Sequence, residues 1–260
     1  VREALEEAVS FMTDDRAVFE FVESNSPPRP EAYLPFHDAE NAEPLVDEVV
    51  MFSGGLDSLA GALERLSSGT GRIALVAHQS APKVKRRQED LVKALQQRFP
   101  GRIRWIPVEA TKKGVEEREN TQRSRPLLFT ALGYAVARMT GAGAVDFFEN
   151  GVVSANLPIA RQIIGSMATR TTHPLTLRRL DELLATLPGD RVTPRNGYAW
   201  LTKTEVVSKL AAFGGEDLID MSISCTNVYN RSNTFTHCGG SDSSPPVSAG
   251  MTTPGTTRRR

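Results

Sequence analysis

Residues 49–62, VVMFSGGLDSLAGA, constrain the fold more than any other stretch of this chain. Val49, Val50, Met51 and Phe52 form a run too short and too rich in β-formers for a helix. They lead straight into Ser53, Gly54 and Gly55, and a helical pattern opens at Asp57. The order expected is strand, tight loop, helix. Paired glycines let the backbone approach a bound group closely and adopt positive φ, and Ser53 and Ser58 add hydroxyls. The amides of the following helix N-terminus carry the positive end of the helix dipole, so the turn suits an anion such as phosphate.

The rest of the chain repeats this alternation. After a helix over 58–66, Ile73 opens a second apolar run, ending at His78; 103–108 gives a third strand and 144–148 a fourth. Helical patterns lie between them over 83–98 and 127–139, and two more follow over 175–187 and 202–213. Strands separated by helices imply βαβ units, so the fold class expected is α/β, a doubly wound, mostly parallel sheet. Residues 69–74 fit G-x-G-x-x-A, but they precede a strand instead of following one, which removes the dinucleotide reading.

At 260 residues and 40% hydrophobic the chain can bury a substantial core. Formal net charge is zero, so no general nucleic-acid surface dominates. The basic run at 83–87 reads as a solvated helix face, since it lacks interleaved aromatic residues. No apolar run approaches a membrane span, and two cysteines are too few for a disulfide framework, so a cytoplasmic protein is expected. Three regions are expected: an N-terminal extension over 1–44, opening inside a helix on Val1 as in a fragment; an α/β domain over 45–224; and a Ser-, Pro- and Thr-rich tail over 225–260. Within the extension, the partial alternation over 17–22 suits either a short strand or a packed helix.

In open α/β sheets ligands bind at the carboxyl ends of the strands, and this places further candidates. His78 either lines a nucleotide pocket or is a loop histidine without a role. Arg125, at the mouth of the helix that Pro126 opens, either clamps phosphates or forms a surface ion pair. Glu149, Asn150 and Gly151 follow the fourth strand; Glu149 and Asn150 either read the edge of a purine-like heterocycle or serve as cap and turn. Thr202 and Glu205 have capping-box spacing, which accounts for them structurally and makes Lys203 the candidate of this segment to face a pyrophosphate.

Behind its strand, Ser53-Gly54-Gly55-Leu56-Asp57-Ser58 resembles the S-G-G-x-D-S signature of the PP-loop ATP pyrophosphatases, which share an adenine-nucleotide α-hydrolase-like sheet. It is not a Walker A loop, because no Gly-Lys-Ser/Thr follows. The spacing to Thr202-Lys203-Thr204-Glu205 and the cysteine-containing end resemble 7-cyano-7-deazaguanine synthase, the QueC-like family. With Arg125, Glu149-Asn150-Gly151, Thr172-His173-Pro174 and the N-terminal stretch, the loop is similar to the QatC-like branch found in anti-phage defence.

The resemblance implies ATP and Mg²⁺ as cofactors and a 7-deazaguanine carboxylate as substrate, adenylated with release of pyrophosphate and then AMP. It gives Ser53, Gly54, Gly55, Leu56, Asp57 and Ser58 to ATP, to which His78 is added by its place at a strand end, and makes Asp57, Arg125 and Lys203 the catalytic candidates. Glu149, Asn150 and Gly151 go to the substrate. A protein partner in a defence complex is a further expectation; a membrane or a directly bound nucleic acid is not expected. The family also implies zinc on four cysteines, of which Cys225 and Cys238 match the first two positions only, so the Zn²⁺ site is incomplete here. Two other readings stand beside this one. One is a tRNA-thiolating or amidating member of the same superfamily; the other is a catalytically silent nucleotide-binding subunit of a defence complex.

Overall fold

A computed structural model of the chain describes residues 1–25, 46–110, 123–157 and 169–222. The expectations for Cys225 and Cys238 and for the tail lie outside these residues, as does the 26–44 part of the N-terminal extension.

Five strands form one all-parallel sheet: β1 (Glu48–Met51), β2 (Ile73–His78), β3 (Ile103–Val108), β4 (Ala144–Phe147) and β5 (Thr193–Asn196), in the spatial order β3-β2-β1-β4-β5. The helices are α1 (Arg2–Thr13), α2 (Leu56–Ser68), α3 (Pro82–Arg98), α4 (Arg125–Thr140), the single turn α5 (Gly151–Ser154), α6 (Pro174–Ala185) and α7 (Lys203–Ala212). The central strands are apolar on both sides because helices cover both faces. Val50 and Phe52 pack with Leu59, Leu63 and Leu66 of α2 and Leu91 of α3. Val49 and Met51 face the opposite way, toward Val136 and Ala137 of α4. The doubly wound α/β architecture is therefore observed, with the chain reversing direction between β1 and β4.

Four strands coincide with the apolar runs of the sequence; β5 does not. Its residues, Thr193, Pro194, Arg195 and Asn196, carry no apolar alternation, and Pro194 has no amide to donate. The strand forms at the sheet edge, where that loss is tolerated. It is held by Arg195, which donates from Nε (2.8 Å) and Nη2 (2.7 Å) to the buried carboxylate of Asp146 on β4.

The 17–22 segment is a second departure, being neither strand nor helix. Asp14 ends α1 in the left-handed region (φ 58°) and turns the chain back along that helix. There the amides of Ala17 and Phe19 donate to Ser10 Oγ (3.0 Å) and Glu6 Oε1 (3.0 Å). Side chains of α1 thus take the hydrogen bonds that a neighbouring strand would otherwise supply. Helix α1 itself packs Ala8 and Met12 against Leu180 and Leu183 of α6.

Candidate functional site

The reversal between β1 and β4 leaves a crevice at the carboxyl ends of these neighbouring strands, the position where doubly wound sheets hold ligands. Two loops meet there: 53–58 after β1, and 149–151 after β4.

The first loop is tight and internally braced. Gly54 has φ +80°, a conformation glycine adopts without strain, and a Cβ added there would lie 3.0 Å from Gln88 Cγ. Ser53 Oγ lies 3.0 Å from Ser58 Oγ and accepts from the Gly55 amide (3.3 Å), while Ser58 Oγ donates to the Gly55 carbonyl (3.1 Å). Buried Gln88 of α3 donates through Nε2 to the Ser53 carbonyl (3.1 Å). Gly55 is the N-cap of α2 and provides no side-chain cap, so the amides of the first turn, from Leu56 to Ser58, are left for an external acceptor.

Asp57 ties this loop to the second. Its Oδ2 accepts from Asn150 Nδ2 (2.9 Å) and the Asn150 amide (3.3 Å), and its Oδ1 accepts from Lys203 Nζ (2.8 Å) at the start of α7. The side chains of Lys203 and Asp57 are only 12% and 13% exposed, so the pair is shielded from water more than a surface ion pair. Asn150 is fully buried, and its Oδ1 accepts from the Val153 amide as the cap of α5. Both ends of the Asn150 amide are thus engaged inside the protein, which gives this residue a positioning part. Gly151 is held just as closely. Its amide donates to Leu201 O (2.8 Å), and an added Cβ would lie 2.4 Å from Ala199 O.

Glu149 is the candidate with a perturbed acidity. Burial pushes its carboxyl up to about 7; a hydrogen bond donated by Thr172 Oγ1 opposes this, the negative charge of Asp57 adds to it, and Lys203 counteracts it. Its backbone is fixed by Asn196, whose Oδ1 accepts from the Glu149 amide (3.1 Å) and whose Nδ2 donates to the Glu149 carbonyl (2.9 Å). An acid whose pKa is raised on folding weakens the fold as pH increases. Between about pH 4.5 and about pH 7 the folded chain keeps a proton that the unfolded chain has released. Stability should therefore fall across that window, by on the order of 3 kcal/mol at most, and level off above it. Urea unfolding at pH 5 and pH 8 checks this: Glu149→Gln should gain on the wild type at pH 8 and not at pH 5. Parallel pH profiles for the two proteins would remove the assignment.

At the neighbouring end of β2, His78 Nε2 donates to Ala110 O (3.0 Å). Among the described residues, His78 Nδ1 and Gln79 Nε2 are buried without a hydrogen-bond partner. Orphaned buried polar atoms are uncommon, and two adjacent ones at a strand end are suited to a ligand's edge. The His78 ring stands 5.8 Å from Phe129, and the Arg125 guanidinium lies 5.0 Å above that same Phe129 ring. The loop, Asp57, Lys203 and the 149–151 turn thus form one constellation, and Arg125 with His78 forms an adjoining one at the same sheet edge.

Gln88, Thr172, Asn196 and Tyr198 belong to the surroundings of the site without having been singled out as site residues from sequence. Tyr198 donates to Glu64 Oε2 (2.7 Å), and Lys209 Nζ donates to Glu64 Oε1 (2.9 Å), so α7 is clamped onto α2 below the Asp57–Lys203 pair. Among the described residues no group of three or more His, Cys, Asp or Glu side chains is arranged to hold a metal ion. None of the described helices is long and apolar enough to cross a membrane.

The fold and site define a class: a doubly wound parallel α/β protein with an anion-suited loop at its switch point. No protein-family model and no curated protein sequence matches the chain.

Proposed function

We propose that this protein adenylates a carboxylate on a 7-deazaguanine-type substrate, using ATP with Mg²⁺. One observation carries the reading: the uncapped, glycine-containing 53–58 loop sits at the switch point, where Asp57 joins it to Lys203 and to the turn bearing Glu149. A substrate carboxylate oxygen attacks the α-phosphorus, the bond from that phosphorus to the bridging oxygen breaks, and pyrophosphate leaves with the electron pair. Amides at Gly54 and Leu56 and the Ser53 hydroxyl hold the departing pyrophosphate. Lys203 and Arg125 offset the negative charge that builds up there, and Asp57 sets the position of Lys203. Mg²⁺ bound together with ATP would screen the charge of the phosphates. This suits a site in which both oxygens of Asp57 are already bonded to protein donors.

Glu149, carrying its proton near neutrality, donates to an acceptor on the heterocycle; the orphaned atoms of His78 and Gln79 face the adenine side. Ammonia or a protein amine then attacks the acyl carbon and AMP departs. With ammonia the product is the amide, on the way to the nitrile. With a protein amine the product is a modified partner in an anti-phage defence complex.

The test is to incubate protein, ATP and Mg²⁺ with and without 7-carboxy-7-deazaguanine and to follow AMP. Release that depends on the carboxylate supports the reading, whereas AMP formation indifferent to it would sink the substrate assignment. Binding of ATP with no turnover would favour the silent-subunit reading. Mass spectrometry of co-purified protein for a covalent nucleobase adduct separates the two acceptors.

A further inference from the structure

Trp200 is 94% exposed, in the turn between β5 and α7. An indole is large and is usually mostly buried, so a tryptophan left in water calls for an explanation. A slack loop is not the explanation, because the residues around Trp200 are fixed. Tyr198 is 2% exposed, and its amide donates to Asn196 Oδ1 (3.1 Å). The Leu201 amide closes the turn onto Tyr198 O (3.0 Å), and the Leu201 carbonyl accepts from Gly151. Thr202 caps α7 with both halves of a capping box.

The place where this turn is pinned ties Trp200 to the crevice. Its neighbours, Ala199 and Leu201, present their carbonyls to Gly151, two residues beyond Glu149, and Lys203, three residues beyond Trp200, bonds Asp57. The turn that bears the indole is therefore built against the 149–151 wall of the crevice.

We propose that Trp200 is the stacking platform for the planar heterocycle of the carboxylate substrate. The inference rests on the adenylation reading above. Stacking on an indole face recognises a bicyclic ring without reading its edge. The division of labour is then simple: Trp200 takes the face, Glu149 the edge, and the 53–58 loop the phosphates.

The chain has two tryptophans, so a Trp105→Phe background leaves Trp200 as the only indole reporter. Titration of that protein with 7-carboxy-7-deazaguanine, beside a non-hydrolysable ATP analogue alone, should give saturable quenching and reduced acrylamide access with the heterocycle only. In the otherwise wild-type chain, Trp200→Ala should raise KM for the carboxylate by about 10- to 100-fold. It should leave kcat and the KM for ATP within about 2-fold, and Trp200→Phe should restore most of the loss. Quenching by the ATP analogue and not by the heterocycle, or an unchanged KM in Trp200→Ala, would overturn the proposal. If the wild type shows carboxylate-dependent AMP release and Trp200→Ala is indistinguishable from it, Trp200 alone has been misread. If the wild type shows no such release, the adenylation reading has failed, and the fluorescence titration still decides whether the indole binds the heterocycle.

Discussion

Asp57→Ala should lower carboxylate-dependent AMP release by about 10²- to 10³-fold, the range seen when one preorganised electrostatic group is removed from a reacting centre. The expectation follows from the number of parts that meet at this carboxylate. Without it, Asn150 loses the acceptor for its amide and for Nδ2 in a fully buried position, and Lys203 loses the bond that holds it over the 53–58 loop. Each buried donor left unsatisfied costs about 1–3 kcal/mol, so some stability goes as well. Asp57→Asn separates the two effects. It keeps an acceptor for Asn150 and removes the charge that Lys203 answers, so the fold should recover more than the activity does. The check is AMP release normalised to the folded fraction from urea titration; near-wild-type turnover in folded Asp57→Ala would remove Asp57 from the machinery.

The second large effect is on assembly of the site. Gly151→Ala should cost about 2–3 kcal/mol of stability, in the range of overpacking at a site unable to relax. The atom in the way is a backbone oxygen, Ala199 O, at 2.4 Å from the added Cβ, so no side chain can rotate aside. Relief requires the 198–201 turn to move away from the end of β4. That turn carries Tyr198, anchored to Glu64, and leads through the Thr202 cap to Lys203. Activity should therefore fall together with stability, as read by urea unfolding and AMP release on one preparation. A variant within about 0.5 kcal/mol of wild type would show that the turn is softer than its hydrogen bonds suggest.

How much of this was legible in the sequence depended on the range of the interaction. The β1 strand and its loop were legible because the signal is local: four apolar residues, two glycines and the start of a helix. The capping box of α7 is equally local, and by accounting for Thr202 and Glu205 it left Lys203 conspicuous. The partner of Lys203 was not legible, because Asp57 lies 146 residues earlier and only the sheet order brings them together. Strand β5 was hidden for a related reason. It is an edge strand held by an ion pair to Asp146, so it needs no apolar pattern. Gln88 resembles any polar residue of a basic, solvated helix until the fold turns it onto Ser53. Asn150 and Gly151 were visible as residues after a strand, but their internal partners, Asp57 and the 198–201 turn, come from elsewhere in the chain.

The proposed attack of a carboxylate on the α-phosphorus of ATP, in the crevice between the 53–58 loop and the 149–151 turn, has one direct measurement. Attack at that position is reversible before the acceptor arrives, so labelled pyrophosphate should exchange into ATP when 7-carboxy-7-deazaguanine is present and ammonia is withheld. The expected result is exchange that requires the carboxylate and Mg²⁺ and is abolished in Asp57→Ala. ATP cleavage to ADP and phosphate, with no pyrophosphate exchange, would contradict it.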